Sequence, residues 1–105
     1  MSVNKVFLLG RLGKHPELKS TKGGTSVCEI ALATNEKFKE ETRTEWHSVI
    51  LFGKSAETMG LYGKKGSMIY VEGRIQTRSW EDKSGATRYK TEIVADEFKF
   101  CGDKE

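Results

Sequence analysis

The alternation of apolar and polar positions along the chain predicts strands more often than helices. The clearest case is residues 45–54, Glu-Trp-His-Ser-Val-Ile-Leu-Phe-Gly-Lys, which are rich in β-branched and aromatic residues and end near a glycine. Successive side chains of a strand point to opposite faces, so His47, Val49 and Leu51 share one face, which has the character of a core face capped by a histidine. The other face carries Trp46, Ser48, Ile50 and Phe52.

The two rings on that second face lie too far apart to pack against each other. At about 3.3 Å per residue, Trp46 and Phe52 are separated by roughly 20 Å. Each ring therefore needs another partner, which can be a neighbouring strand, a second chain or a ligand with several flat groups.

The same alternation predicts further strands before and after this segment. Residues 4–12 form a first strand with apolar side chains on both faces, as expected of a strand covered on two sides, and Gly10 within it marks a bend or a bulge. A short strand is expected around Leu18, and residues 26–34 form the next strand. In that strand Cys28, Ile30 and Leu32 face the core.

Two segments break the strand pattern. Residues 35–44 are highly charged and predict a loop, in which Phe38 stands alone between Lys37 and Lys39. Residues 55–66 begin with a serine that can serve as an N-cap and end with a glycine, which predicts a short helix.

The end of the chain predicts a long antiparallel hairpin. Residues 67–80 form one strand, residues 81–87 the turn, and residues 88–100 the returning strand. Five strands with one short helix between the third and the fourth are the layout of a small Greek-key OB barrel. The predicted fold class is therefore all-β, a five-stranded OB barrel with a long hairpin of strands 4 and 5.

Length and charge narrow the class of protein. The 105 residues predict a single domain, 1–105, and 36% apolar with 31% charged residues suit a folded soluble protein. The formal charge of +3 is uneven, because residues 1–25 hold five basic residues and one acid, whereas residues 91–105 hold five acids and two lysines. A basic half suggests a polyanionic partner. The absence of an apolar run long enough to span a membrane, and of a signal peptide, predicts a cytoplasmic location.

Catalytic and metal-binding patterns are weak. Cys28 and Cys101 are too few and too far apart for a disulfide framework or a zinc site, and the two histidines, His15 and His47, stand in no catalytic or metal-ligand spacing. We therefore predict no metal and no cofactor. A metal-dependent nuclease that uses Glu72, Arg74 and Arg88 remains an alternative.

The strongest constellation is aromatic residues interleaved with basic ones. Trp80 shares its strand face with Arg74 and Arg78, and Phe38 lies between two lysines. Rings offer stacking platforms for bases, and neighbouring cations contact phosphates. The structural alternative is that the rings are core, because large aromatic residues dominate protein cores. Phe38 fits that alternative least, since its neighbours offer no apolar surface.

Several motifs resemble a known family. They include Asn4-Lys5-Val6, Thr44-Glu45-Trp46-His47, Leu51-Phe52-Gly53-Lys54, Tyr70-Val71-Glu72-Gly73, and Thr77-Arg78 followed by Trp80. In the same order, across nearly all of residues 3–95, they resemble bacterial single-stranded DNA-binding proteins. The resemblance implies an OB barrel, a homotetramer built as a dimer of dimers, and a strand wrapped over it. The base-stacking aromatics of that family fall on Phe38, Trp46, Phe52 and Trp80.

Further expectations follow from the resemblance. It implies a non-enzymatic protein of the bacterial nucleoid that binds and protects single-stranded DNA during replication, recombination and repair. Subunit contacts are expected at Asn4, Val6 and His47, and phosphate contacts at Lys5, Arg11, Arg74 and Arg78. The long acidic tail with which the family recruits replication and repair proteins is absent from these 105 residues, so such partners are expected only if a tail exists in the full-length protein.

Three alternatives stay open at the level of the sequence. Stacking alone does not distinguish the sugars, so an RNA-binding OB module is the nearest rival. The metal-dependent nuclease is the rival from another class. An OB barrel that serves only protein contacts is the third.

Overall fold

The computed structural model describes residues 1–102 and consists mainly of β-strands. Side chains alternate between the interior and solvent along the strands, as the sequence pattern requires. The elements are β1 (Val6–Leu12), β2 (Glu17–Ser20), β3 (Ser26–Phe38), β4 (Glu41–Phe52), α1 (Lys54–Tyr62), β5 (Met68–Glu81) and β6 (Thr87–Phe100).

The sheet closes on itself because β1 pairs with two different strands. It runs antiparallel to β5 from Val6 to Arg11, and its last two residues pair with β3. The three remaining pairings of the barrel are the antiparallel β3–β4 and β5–β6 pairs and the parallel β4–β6 pair. Five strands therefore form a closed barrel with α1 between β4 and β5, and the predicted OB fold is confirmed. The short β2, near the predicted Leu18, pairs only with the edge of β3.

Gly10 permits β1 to serve both neighbours. A Cβ atom at this position would lie 2.3 Å from the carbonyl oxygen of Ala33 on β3. Only a residue without a side chain allows the two backbones to approach so closely. The close approach to Ala33 explains a glycine at this position, whereas the predicted bend or bulge at Gly10 stays a prediction.

The barrel interior is filled by the predicted apolar faces. Val49 and Leu51 of β4 are fully buried, and so are Cys28 and Leu32 of β3. Burial raises the pKa of the Cys28 thiol, so this cysteine stays protonated and packs as a small apolar side chain. The buried cluster consists of Leu12, Cys28, Ile30, Leu32, Val49, Leu51, Ala56, Met59, Ile69, Val71 and Ile93.

The prediction of a loop over residues 35–44 is wrong. β3 continues to Phe38 and β4 starts at Glu41, and the two strands pair without a break from Asn35 opposite Thr44 to Phe38 opposite Glu41. Lys39, with φ of 58°, lies in the turn between them. Both faces of this hairpin are exposed to solvent, so neither face carries the apolar alternation by which a strand is recognised.

The helix lies where it was predicted, but its ends differ. It starts at Lys54 and ends at Tyr62, and it has no side-chain cap, so the predicted role of Ser55 is wrong. Gly53 precedes the helix with φ of 66°, and its carbonyl accepts the first helical hydrogen bond, from Glu57. The end at Tyr62 is closed by a hydrogen bond from Gly63 to the carbonyl of Met59, 2.8 Å long.

Two further predictions concern the ends of the chain. The first strand begins at Val6 rather than at residue 4. The expected absence of an acidic tail concerns the chain beyond residue 102, which lies outside the described residues. Within the described part, no helix has the length and apolar character needed to cross a membrane.

Candidate nucleic-acid interface

A groove on the outside of the barrel collects the predicted aromatic residues of β4. It has a volume of about 720 Å³ and lies between the outer faces of β3 and β4 and the β5–β6 hairpin; we call it the ring groove. Trp46 and Phe52 line it, with 59% and 48% of their surfaces exposed. The rings are therefore not part of the core, and the structural alternative fails for both of them.

Trp46 is positioned by a glycine. A Cβ atom at Gly13, in the turn after β1, would lie 2.4 Å from the indole ring. The amide of Gly13 donates to the carbonyl of Ala31 on β3, which fixes the turn beside the ring. The bare backbone thus supports one side of the indole while much of its surface stays open to solvent.

Two basic residues meet across the hairpin at the other wall of the groove. Arg78 on β5 and Lys90 on β6 are directly opposite each other in the ladder, an arrangement that destabilises a sheet unless the charges are balanced. Arg78 donates to Glu92 over 3.1 Å, and Lys90 donates to Glu29 of β3. These two carboxylates balance the pair, and Glu29 also connects the hairpin to β3.

The two carboxylates are held differently. Glu29 also accepts a hydrogen bond from Ser48, and the bonds from Lys90 and Ser48 hold the pKa of its carboxyl below the usual value. Glu92 is 4% exposed, and its Oε1 accepts no hydrogen bond from the described residues. A buried carboxylate oxygen of this kind is costly to desolvate and calls for a donor.

Trp80 and Phe38 each have a cation against the ring. The guanidinium of Arg78 lies 5.0 Å from the Trp80 ring centre, at the edge of the ring groove. Phe38 ends β3 at the tip of its hairpin, with Arg43 at 4.4 Å and Lys39 at 5.6 Å. Both rings are about half exposed, 42% for Trp80 and 46% for Phe38. Each is a flat surface with positive charge beside it.

The structure places the four predicted phosphate-contacting residues in different regions. Arg78 lines the ring groove, and Arg74 lies on the same face of β5, exposed to solvent. Lys5 is 4.0 Å from Asp96 and lies outside the groove. Arg11 lies in a second cleft, which it shares with Lys64 and Lys65, and it donates to the carbonyl of Gly66.

The predicted subunit contacts lie around the first strand and β4. Asn4 pairs with the backbone of Ile75 on β5 through two hydrogen bonds, 2.8 and 2.9 Å long. Val6 is half-buried and packs against the core. His47 is also half-buried, and its Nε2 lies 2.9 Å from the hydroxyl of Thr34 on β3.

The residues of the nuclease alternative do not converge. Glu72 accepts from the hydroxyl of Tyr70, whereas Arg88 pairs with Asp82 at the hairpin turn. Arg88 lies opposite Trp80, eight residues along β5 from Glu72, which corresponds to roughly 26 Å. No group of three potential metal ligands occurs among the described residues.

Several residues of the groove were missed by the sequence reasoning. Arg88, Lys90 and Glu92 are spaced two residues apart along β6, and the period of two of a strand already indicated that they share a face. Glu29 gave no such signal, because its partner Lys90 is distant in the sequence. Other missed lining residues include Lys14, Glu17, Lys19 and Gln76.

Comparison with known proteins agrees with this geometry. The profile of the single-strand binding protein family matches residues 3–101. A curated relative from Chlorobaculum tepidum, named single-stranded DNA-binding protein 1, is 46% identical over 98% of this chain and 67% of its own length. The matched region contains every strand of the barrel and the four rings predicted to stack bases. The chain therefore belongs to the single-strand binding protein family.

Proposed function

We propose that this protein binds single-stranded DNA without reading its sequence, by stacking bases on exposed rings and contacting phosphates with basic side chains. The observation that carries the proposal is the pair Trp46 and Phe52, exposed in one groove on a strand whose opposite face buries Val49 and Leu51 in the core. A soluble protein gains nothing from exposing two rings in a shared concave surface unless a ligand covers them. Every base offers a flat face, so stacking tolerates any sequence.

Trp80 and Phe38 extend the path of the strand beyond the groove. Each has a cation against the ring, so a base stacked on the open side brings its phosphates near a positive charge. Arg74 and Arg78 supply phosphate contacts along the hairpin. Lys5 and Arg11 lie outside the groove and are proposed to contact phosphates further along the strand.

Titration of short oligonucleotides tests the proposal. Single-stranded DNA, duplex DNA and single-stranded RNA are compared at several salt concentrations, with tryptophan fluorescence as the readout. We expect saturable quenching by single-stranded DNA and an affinity that falls steadily with salt, since phosphate contacts release counterions. Equal or tighter binding of RNA would favour the RNA-binding alternative. Cleavage that requires a divalent metal would favour the nuclease, and no binding at any salt would leave only protein contacts.

The proposed assembly is a homotetramer, a dimer of dimers, with Asn4, Val6 and His47 at subunit contacts. Support comes from the outer face of β1, where Phe7 and Leu9 are exposed by 60% and 55% although the sequence predicts a strand covered on both sides. Sedimentation at micromolar concentration tests this assembly. A charged replacement, His47→Asp, should shift the protein toward smaller species, and a monomeric unmodified protein would rule the assembly out.

The proposed cellular role is protection of exposed strands in replication, recombination and repair, carried out by a binding protein rather than an enzyme. Recruitment of replication and repair proteins is proposed only for a full-length protein with a C-terminal tail. The single domain predicted from the sequence is sufficient for strand binding in this proposal.

A further inference from the structure

The ring groove is almost neutral, although it is proposed to bind a polyanion. Four basic and three acidic side chains line it. Three of the basic residues have an acidic partner, since Lys19 lies 3.8 Å from Glu17, Arg78 pairs with Glu92 and Lys90 with Glu29. Paired cations attract phosphates less than free ones do. The floor of the groove is therefore better suited to bases than to the sugar-phosphate backbone.

Glu29 is fixed in that floor with one oxygen occupied and the other available. Its Oε2 accepts from the hydroxyl of Ser48 over 2.7 Å and also from Lys90. Its Oε1 accepts no hydrogen bond from residues 1–102, and about half of the side chain, 46%, is exposed. The lowered pKa keeps the group ionised at neutral pH, so both oxygens are acceptors.

The position of Glu29 relative to the rings suits contact with a stacked base. On β3 it lies directly opposite Ile50, which is two residues from Phe52 and four from Trp46 along β4. These separations correspond to roughly 7 and 13 Å. A base stacked on Phe52, the nearer ring, can therefore turn its edge toward the carboxylate.

An ionised carboxylate distinguishes bases by their donors. Cytosine, adenine and guanine carry an amino group that donates to an acceptor, whereas thymine has only one N–H, placed between two carbonyl oxygens. We propose that Glu29 is a base-contacting residue, which accepts a hydrogen bond from the amino group of a base stacked in the ring groove. The inference rests on the proposed strand binding and adds a modest base preference to it.

Glu92 supplies a second observation in the same groove. Its side chain is 4% exposed and lines the groove, and its Oε1 has no donor among the described residues. The other oxygen is held by Arg78. Glu29 thus presents an exposed acceptor in a surface flanked by stacking rings, and beside it Glu92 holds a buried oxygen that lacks a donor.

The test uses strands that differ only in the amino group. Oligonucleotides of roughly 15 nucleotides, a length that one OB fold can contact, carry either cytosine or 2-pyrimidinone, which is cytosine without its amino group. Both strands bear the same phosphates, so the ratio of their dissociation constants cancels the common electrostatic contribution. For the unmodified protein we expect the cytosine strand to bind about three- to tenfold more tightly, the range of one ordinary hydrogen bond in a solvent-exposed groove.

Matched variants assign that preference to Glu29. Glu29→Met removes the acceptor and should reduce the ratio to near one, whereas Glu29→Gln keeps a carbonyl and should retain part of it. Glu17→Met is the control, because it removes an equal charge from another lysine pair of the same groove, and it should leave the ratio unchanged.

Each contrary result overturns the inference in a recognisable way. A ratio near one for the unmodified protein, with tight binding of both strands, removes the base preference and leaves the proposed function intact. Equal tightening of both strands by Glu29→Met, with an unchanged ratio, shows that the carboxylate only competes with phosphate for Lys90. Absence of binding to either strand removes the proposed function as well.

Discussion

The two faces of β4 carry similar apolar residues, but one face lies against the barrel core and the other lines the ring groove. On the inner face Val49 and Leu51 are fully buried against the barrel core. On the outer face Trp46 and Phe52 are about half exposed in the ring groove. The two faces do not differ in hydrophobicity. They differ in the parts of the protein that pack on them. The other barrel strands and α1 pack on the inner face, whereas on the outer face of β4 only Ile50 is buried by the described chain.

The comparison teaches that apolar residues of one strand can be divided between stability and binding. The inner face contributes to folding by removing surface from water. The outer face keeps ring surface in water, which is unfavourable until a ligand covers it. Its contacts within the chain are few and specific, such as Trp46 against Gly13 and Arg78 against Trp80. The following predictions test how sharply this division holds, from the largest expected effect to the smallest.

Adjacent residues of β4 give the most direct test. Leu51→Ala should lower the free energy of unfolding by about 2–5 kcal/mol, because it leaves a cavity in the core, while the folded fraction binds strands normally. Phe52→Ala should weaken strand affinity and change the free energy of unfolding much less. Urea unfolding and fluorescence or anisotropy titration on both variants check the pair. Comparable losses of stability in the two variants would contradict the division between the faces.

The same division predicts the behaviour of the rings outside β4. Trp80→Ala should weaken strand binding by about 1–3 kcal/mol, the value measured per stacked base in single-strand binding proteins, this family included. Its melting temperature should change little, because the ring is about half exposed and faces Arg78 rather than the core. Phe38→Ala is the cleaner control, since its ring lies against the charged side chains of Lys39 and Arg43 at the hairpin tip. Two destabilised variants with unchanged affinity would remove both rings from the proposed site.

The inner face was predictable from the sequence because its signal is local. Alternation along each strand identified Cys28, Ile30 and Leu32 on β3, and Val49 and Leu51 on β4, as core residues, and all five are buried. The order of strands and helix then led to the correct barrel. The hairpin over residues 35–44 was not predicted, because its strands are held by backbone pairing and both of its faces lie in solvent. A polar hairpin and a polar loop have similar compositions.

The charge balance of the ring groove was not predictable, because its partners are distant in the sequence. Lys90 and Glu29 are 61 residues apart, and only closure of the barrel brings them together. Arg78 was predicted as a cation for phosphates, yet its pairing with Glu92 depends on the register of the β5–β6 hairpin. Strand faces can be read from a sequence, whereas contacts across strands require the register.

Arg74 and Arg78 sharpen the comparison within the groove face itself. Arg74 is exposed and forms no ion pair within residues 1–102, so Arg74→Ala should reduce the steepness of the salt dependence by about 0.7, the value for one lost phosphate contact, and leave stability unchanged. Arg78→Ala should in addition lower the stability of the protein, because it leaves the buried carboxylate of Glu92 without its ion-pair partner. Affinities over a range of salt, with melting curves, distinguish the two. An unchanged salt dependence in Arg74→Ala would exclude this residue from the phosphate path.

The smallest expected effect concerns the turn that supports the open face. Asp82 closes the turn of the β5–β6 hairpin by accepting from the hydroxyl of Ser84, from Arg88 and from the amides of Ser84 and Ala86. These bonds, with that from Ser84 the largest contribution, lower the pKa of the Asp82 carboxyl from 3.8 to about 2. A lowered pKa in the folded state means that the carboxylate stabilises the fold above pH 3.8, and this contribution is lost as the pH falls toward 2.

Asp82→Asn should therefore be less stable than the unmodified protein at neutral pH and lose less stability between about pH 4 and pH 2. Ser84→Ala removes the largest contribution and should show a smaller change of the same sign. Thermal unfolding followed over this pH range checks both variants, and identical pH profiles for Asp82→Asn and the unmodified protein would show that the turn does not couple to the fold.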